Sequence, residues 1–179
     1  MYNYWFINGC FNFCCYATTT ILFVFFGRYV FNLDFFSDTH MFLFVEVYFM
    51  WGLVQVSMPM FFCCLFSSAQ SASMTGYAAT LWTCTIAANI TMSVFAVPRR
   101  FPQWMMYYPN FAYVRSIYLL LDPCTWDTCL GDFEMAPTEF HEMIFWMFFD
   151  SIAYLLISIY LNEVIPQEYG VSKHPLFLV

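Results

Sequence analysis

Charged residues are scarce in this chain, and their scarcity excludes most classes of soluble protein. The 179 residues include five Lys and Arg and twelve Asp and Glu, so 9% are charged, whereas a soluble domain has about 25%. A net charge of −7 without any run of Lys or Arg argues against a nucleic-acid partner and against a polybasic lipid-binding tail. With 62% hydrophobic residues, we predict a multi-pass integral membrane protein.

Sequence features of catalysis are also missing. No Gly-x-x-x-x-Gly-Lys-[Ser/Thr] phosphate loop is present and Lys173 is the only lysine, so this chain is not expected to hydrolyse ATP by itself. The histidines His40, His141 and His174 are isolated from one another, which argues against a catalytic triad. The cysteines have too few neighbouring ligands for zinc. We expect no catalytic, cofactor or metal site here.

Four apolar segments are long enough to cross about 30 Å of hydrocarbon as helices. They cover approximately residues 5–30, 41–66, 73–97 and 143–165. The third is rich in Ala, Thr and Ser, and small residues allow helices to approach closely, so we expect it to pack inside the bundle. The predicted fold is therefore an all-α integral membrane protein, with residues 1–179 forming one partial transmembrane domain.

Residues 98–142, between the third and fourth spans, form neither a clear loop nor a clear span. Their first half is crowded with aromatic residues and is divided by Pro102, Pro109 and Pro123, which favours an interfacial or re-entrant helical hairpin over a full crossing. Residues 122–142 carry half of all the acidic residues and are expected to face water. Cys124 and Cys129 lie in this polar stretch and are a possible disulfide if the segment faces an oxidising compartment.

Two acidic residues lie inside predicted spans, where an ionised group costs at least about 2.5 kcal/mol. Glu46 is interpreted either as a functional group, which contacts a lipid headgroup or serves as a proton site, or as a side chain that extends to the interface. We favour the second interpretation. Asp150 is expected to pair with Arg115 or Arg100, or to bond hydroxyl groups of the third span. We favour a structural link to the hairpin, with headgroup contact as the alternative.

Arg99 and Arg100 follow a proline at the predicted end of the third span. Two guanidinium groups can hold a phosphate in bidentate fashion. Such a pair more often marks the boundary of the membrane. Both interpretations stay open from the sequence.

The end of the chain has the pattern of a helix leaving the membrane. Pro166 blocks continuation of the last span, and Gly170 can adopt a left-handed backbone in the turn that follows. Tyr169 and Lys173 suit the headgroup layer. Together with Glu168 these residues form a terminal turn motif, Pro-Gln-Glu-Tyr-Gly followed by Lys.

This motif resembles the end of the first transmembrane domain in subfamily A of the ABC transporters. In that family the last span carries Asp in a Phe-Asp-x-x-x-Tyr context, matched here by Phe149, Asp150 and Tyr154. The family pattern then continues as Tyr-x-x-x-Val-x-Pro-Gly-[Gln/Glu]-Tyr-Gly. Residues 160–170 follow it, with Gln167 in place of the first Gly.

The resemblance extends over nearly the whole chain, as spans three to six of the first half. Residues 5–7, Trp-Phe-Ile, resemble the start of the family's third span, and residues 67–72 match a short cytoplasmic turn. It implies an ABC-2-type transmembrane domain that exports lipid, with membrane lipids, the other half of the transporter and an ATPase domain as partners. ATP would be bound only through that partner domain. The turn at 67–75 and the C-terminal tail would face it.

Orientation and function each leave an alternative. The resemblance places both termini in the cytoplasm, whereas Arg28, Arg99, Arg100 and Arg115 lie at the opposite end from Lys173, which the positive-inside rule would make cytoplasmic. We keep the family orientation. The chain is a fragment, one subunit of a split transporter, or a descendant without the ATPase. The alternative function is a structural membrane subunit of a larger complex without transport activity.

Overall fold

The protein is mostly helical in the described residues of a computed structural model, which cover 2–66, 68–97, 99–124 and 129–164. The helices, in chain order, are α1 (Tyr2–Phe25), α2 (Asp34–Asp38), α3 (Met41–Leu65), α4 (Ala69–Ser93), α5 (Gln103–Met106), α6 (Pro109–Cys124) and α7 (Thr138–Val164). A π-helical turn, Phe26–Val30, extends α1, and a 3₁₀ turn, Phe133–Met135, precedes α7. The predicted all-α fold is confirmed.

Three of the described helices are long and apolar enough to cross a membrane. They are Phe6–Val30, Met41–Leu65 and Thr138–Val164. The starting points of α3 and of α4 have local causes. Phe42 N–H donates to the His40 imidazole at the start of α3, and Ser71 N–H donates to the Ser68 hydroxyl at the start of α4, so each helix begins at a capping side chain.

The core forms where α3 packs against α7 and the α5–α6 segment. Leu43, Val47 and Val54 of α3 and Met143 and Met147 of α7 are fully buried there. The Cys64 thiol lies 3.3 Å from the Ser158 carbonyl oxygen, and the rings of Phe61 and Tyr154 are 5.4 Å apart. Residues late in both helices therefore meet, and α3 and α7 run parallel.

Helix α1 packs on α3 in the opposite direction. The Tyr16 hydroxyl donates to the Tyr48 carbonyl oxygen over 3.1 Å. At Gly52 a Cβ atom would come within 2.7 Å of the Tyr16 ring, so the missing side chain allows the two helices to approach closely. Most of α1 remains exposed, since Phe6, Phe11 and Ile21 each have about two thirds of their surface accessible.

Helix α4 differs from its predicted position. The sequence placed it inside the bundle, but Tyr77, Leu81 and Trp82 are about 70% exposed. Its buried residues, which include Ala87 and Thr91, lie on the opposite face, which packs against α3 and α6. The small residues do allow close packing, but only on one face, because the large side chains point away from the bundle. Helix α4 also ends at Ser93, four residues before the predicted end of the span.

The predicted hairpin before the last span is present and enters the bundle. The Tyr107 ring lies 4.7 Å from that of Trp146, which is eight residues, or about 12 Å, along α7. Asn110 Nδ2 donates to Thr83 Oγ1 over 2.6 Å, and Thr83 is ten residues, or about 15 Å, before the end of α4. The chain descends through α5, turns near residue 108, and returns through α6.

Candidate functional site

Arg115 occupies the centre of the contact between the hairpin and α7. This residue of α6 is fully buried, with 1% of its side-chain surface exposed. Its Nε and Nη2 donate to Oε1 and Oε2 of Glu139, each over 3.0 Å. The pair is bidentate, which is the geometry that a guanidinium and a carboxylate favour.

The remaining groups of this ion pair hold the segment that joins α4 to α5. Arg115 Nη1 donates to the Phe95 carbonyl oxygen over 2.5 Å, and Nη2 donates to the Arg99 carbonyl oxygen over 2.8 Å. Glu139 Oε1 also accepts from Phe101 N–H over 2.9 Å. Four of the five guanidinium N–H groups are therefore bonded, and the pair connects α6, α7 and residues 95–101.

Aromatic rings surround the guanidinium group. The Arg115 Cζ atom lies 5.8 Å from the centroid of the Phe101 ring and 5.4 Å from that of Tyr118, within the distance of a cation–π contact. The rings exclude water, so the charges interact strongly with each other. For the same reason, removal of either partner leaves the other charge buried and unpaired.

Asp150 was expected to pair with Arg115 or Arg100, and this prediction is wrong. Arg115 binds Glu139 instead, and Arg100 Nη2 donates to Thr138 Oγ1 over 3.2 Å. Asp150 is 4% exposed, and its Oδ2 has no hydrogen-bond partner among the described residues. It follows Glu139 by eleven residues, so both lie on one face of α7, and Asp150 lies about 16 Å farther along the helix than the acid that Arg115 binds.

The prediction that all the acidic residues of 122–142 face water is also wrong, at Glu139. This residue is 8% exposed and lies in the second position of α7. Sequence reasoning therefore missed the partner of Arg115. The available signal was the position of Glu139 at the start of a long apolar helix, close in sequence to a hairpin that carries a single cation.

The other predicted polar contacts lie apart from this centre. Glu46 is half-buried in the second turn of α3, and its Oε2 is enclosed without a partner among the described residues. Arg99 and Arg100 are exposed beyond the end of α4, where Arg99 Nη1 donates to the Val94 carbonyl oxygen over 3.4 Å. The headgroup and phosphate interpretations of these residues stay predictions.

Cys124 and Cys129 are joined by a disulfide, with their Cα atoms 4.2 Å apart. The bridge closes the end of α6 onto the segment that leads to α7. Nearby, His40 N–H donates to the Leu130 carbonyl oxygen over 2.8 Å, which connects this segment to the start of α3. The terminal turn motif, Pro166 to Lys173, lies outside the described residues. Within the described part of the chain, no three His, Cys, Asp or Glu residues converge in a way that could hold a metal ion.

The fold and its composition define a helical membrane protein, and comparisons with known proteins narrow this class. The chain is 32% identical over 99% of its length to ABC transporter A family member 9 of Dictyostelium discoideum. It is 31% identical over its whole length to ABC transporter A family member 7 of the same organism. In each case it spans 21% of the relative's length. No family model matches the chain, and no solved structure matches it.

The similarity covers 99% and 100% of the chain in the two comparisons. Together with the three apolar helices, it supports the interpretation of the chain as a membrane part of an ABC transporter of the A family. This agrees with the family resemblance of the terminal motif.

Proposed function

We propose that this chain forms part of the first transmembrane domain of a subfamily A ABC transporter and contributes to lipid translocation. The observation that carries the proposal is the similarity to two such transporters over 99% and 100% of the chain. The three apolar helices supply the membrane-crossing elements that such a domain requires. The order of spans and hairpin is the one that the family resemblance implies for spans three to six.

In this proposal ATP is hydrolysed by a separate domain or chain. The sequence has no phosphate loop, and the relatives are about five times as long as the matched region. The short connection between α3 and α4 and the last described turn of α7 lie at one end of the bundle, which would face the ATPase. The disulfide between Cys124 and Cys129 lies at the other end. Because disulfides persist in oxidising compartments, this end would be exoplasmic.

The Arg115–Glu139 centre gives the proposed domain a mechanical feature. Because four hydrogen bonds from one guanidinium join α6, α7 and residues 95–101, the hairpin and the start of α7 would move as one body. A displacement imposed by an ATPase at the far end of α7 would then reach the hairpin. Buried networks of this kind favour a small number of discrete arrangements over continuous deformation.

Reconstitution tests the proposal. The chain is purified with the proteins that accompany it in native membranes, placed in liposomes, and assayed for ATP-dependent movement of a fluorescent phospholipid between leaflets. We expect movement that requires ATP and a co-isolated ATPase, and that is lost on deletion of residues 165–179 while membrane insertion is retained. As a control, membrane insertion of the same deletion variant is measured in parallel, so that a loss of lipid movement is not caused by failed insertion.

Two outcomes would contradict the proposal. Lipid movement that continues at the same rate without any ATPase would exclude an ATP-driven domain. Co-isolation with a large stable complex that contains no ATPase would favour the alternative of a structural membrane subunit.

A further inference from the structure

Asp150 lies in the middle of the last membrane-crossing helix. It is twelve residues from the first residue of α7 and fourteen from the last described one, which corresponds to about 18 Å and about 21 Å of helix. The residue is 4% exposed, and its Oδ2 atom is enclosed without a hydrogen-bond partner among the described residues. An ionised carboxylate would have neither water nor a donor at that oxygen, which carries a large cost in free energy.

The arginines of the chain do not reach Asp150. Arg115 and Arg100 bind the first two residues of α7, and Arg28 contacts the first residue of α3. Arg99 precedes Arg100 in the chain, and because α3 and α7 run parallel, all four lie at the end of the bundle where these helices begin. Asp150 follows the residue that Arg115 binds by eleven positions, or about 16 Å. None of the described cations is therefore placed to act as its counter-ion.

The tip of the hairpin, residues 107–108, lies beside Asp150. Trp146, Asp150 and Tyr154 are spaced by four residues and lie on one face of α7. The Tyr107 ring lies 4.7 Å from that of Trp146. Tyr108 and Asp150 are each close enough to Tyr154 to interact with it electrostatically. The tip therefore lies along α7 from the turn before Asp150 to the side chain of the turn after it.

Helix α3 packs against the same part of α7. The rings of Phe61 and Tyr154 are 5.4 Å apart, and in this parallel register Asp150 is level with Ser57. Ser57 is 4% exposed, and its hydroxyl donates to a carbonyl oxygen of its own helix. The acid of α3, Glu46, lies eleven residues before Ser57, or about 16 Å along the helix. The charged residues of α3 and of the hairpin therefore lie at other levels of the bundle.

A proton is the ligand that fits this site. Tyr108 and Tyr154 are the titratable groups beside Asp150 among the described residues, and tyrosine hydroxyls are neutral at neutral pH, so neither supplies a positive charge. A divalent cation takes about six oxygen ligands, and no three His, Cys, Asp or Glu of the described residues converge in a way that could hold one. A proton by itself converts the carboxylate into an acid, which hydrocarbon tolerates far better than an ion.

We propose that Asp150 is a proton-binding site of this membrane domain, which keeps its proton while the hairpin tip covers it and releases it to water when the tip moves away. Binding takes one proton from water and converts the carboxylate into the acid, and release reverses this step, so no other reactant is required. The inference goes beyond the proposed function because it concerns the protonation of the domain itself. Absence of lipid transport in reconstituted liposomes would leave it unaffected.

Infrared spectroscopy of the full chain in lipid nanodiscs tests for the proton directly. A protonated carboxyl has a C=O stretching band that is separate from the bands of a carboxylate. At neutral pH an exposed aspartate is about 99.9% ionised, so a protonated band of the wild type comes from enclosed acids. We expect Asp150→Asn to remove such a band and to leave the carboxylate bands unchanged.

Asp132→Asn is the matched control, because it makes the same change at an exposed aspartate. It should reduce the carboxylate bands and leave the protonated band as in the wild type. A D150N protein that loses carboxylate intensity, or that keeps the whole protonated band, would overturn the inference.

Hydrogen exchange of the hairpin tip tests the link between the proton and the packing. If the covered state holds one more proton than the open state, a rise in pH favours the open state, and its population should increase about tenfold per pH unit. We therefore expect the amides of residues 103–112 to exchange faster by this factor as the pH rises from about 7 to about 9, after correction for the intrinsic rate. In D150N the side chain is uncharged throughout this range, so the dependence should be absent.

The D132N variant again serves as the control for the exchange measurement. Exchange that rises with pH in D132N as it does in the wild type, but not in D150N, would support the link to the hairpin. Exchange of the wild-type tip that does not change with pH, or that changes equally in D150N, would overturn it.

Discussion

Glu139 and Asp150 are two buried carboxyl groups on one face of α7, but they differ in the hydrogen-bond partners that surround them. At the start of the helix, Glu139 is enclosed with a guanidinium and a backbone N–H, and both of its oxygens accept hydrogen bonds. Near the middle of the helix, Asp150 is just as deeply enclosed, but Oδ2 has no partner among the described residues. Burial by itself therefore does not indicate whether an acid stabilises this fold.

The comparison teaches that the hairpin decides the difference. It brings Arg115 to the level of Glu139, and its tip, near Tyr107, reaches only the level of Trp146. Asp150 lies one turn beyond that contact. A polar group enclosed without a partner in a membrane costs free energy and is often functional. We therefore expect the contacts of Asp150 to change during activity and those of Glu139 to stay fixed.

The largest effect is expected from Arg115→Met. The substitution leaves the Glu139 carboxylate buried without its cation and removes the bonds to the Phe95 and Arg99 carbonyl oxygens, so the free energy of unfolding should fall by about 3–5 kcal/mol. Thermal unfolding of the detergent-solubilised protein measures it. Adding Glu139→Leu to the same chain should recover most of the loss, because no unpaired charge then remains. An R115M protein as stable as the wild type would remove the basis of the comparison.

Asp150→Leu should change stability in the opposite direction. It replaces an enclosed carboxyl that lacks a partner on Oδ2 with an apolar side chain of the same branched shape, so we expect stabilisation by about 1–3 kcal/mol. The same thermal assay, with Glu139→Leu alone as the destabilised counterpart, tests the contrast. If both substitutions destabilise the protein equally, the two regions do not differ as described. Loss of transport together with a gain in stability would identify Asp150 as functional.

Asn110 is an intermediate case that sharpens the comparison. Its Nδ2 is bonded to Thr83 Oγ1, whereas its Oδ1 is buried without a partner among the described residues. Asn110→Leu removes both one satisfied and one unsatisfied group, so the two effects should nearly cancel and leave a net change within about 1 kcal/mol. Thr83→Val, which keeps Asn110 but removes its partner, should be more destabilising in the same assay. The reverse order would show that the bond contributes little.

The smallest effect on stability is expected at Arg99 and Arg100. Both are exposed, and their hydrogen bonds, to the Val94 carbonyl oxygen and Thr138 Oγ1, measure 3.4 and 3.2 Å. Replacing both with Gln should change the free energy of unfolding by no more than about 0.5 kcal/mol. Flotation with liposomes that contain phosphatidic acid then separates the two interpretations: reduced binding supports a phosphate contact, and unchanged binding supports a simple boundary role.

Much of the fold was predictable because hydrocarbon imposes simple requirements. Long apolar runs must be helical in a bilayer, and the segments at 41–66 and 143–165 correspond to α3 and most of α7. Prolines in residues 98–142 predicted the short helices of the hairpin. The exposed position of α4 was not predictable, since a helix rich in small residues packs closely on whichever face meets a neighbour, and composition does not state how many neighbours it has.

The candidate site was predictable only in its members. Asp150 was singled out as an acid inside a span and Arg115 as its possible partner; both are buried, but they are not paired. Glu139 was not singled out, because it lies in an acidic stretch that composition assigns to water.

The sequence by itself determined that these 179 residues form an all-helical membrane protein, and its closing motif already resembled the ABC transporters of subfamily A. Scarcity of charge and the length of apolar runs suffice for that, because they act through the solvent and not through particular contacts. Only the tertiary structure decided which acid binds Arg115. Glu139 and Asp150 carry the same chemical group on one face of α7, and the choice between them depends on how far the hairpin descends beside that helix.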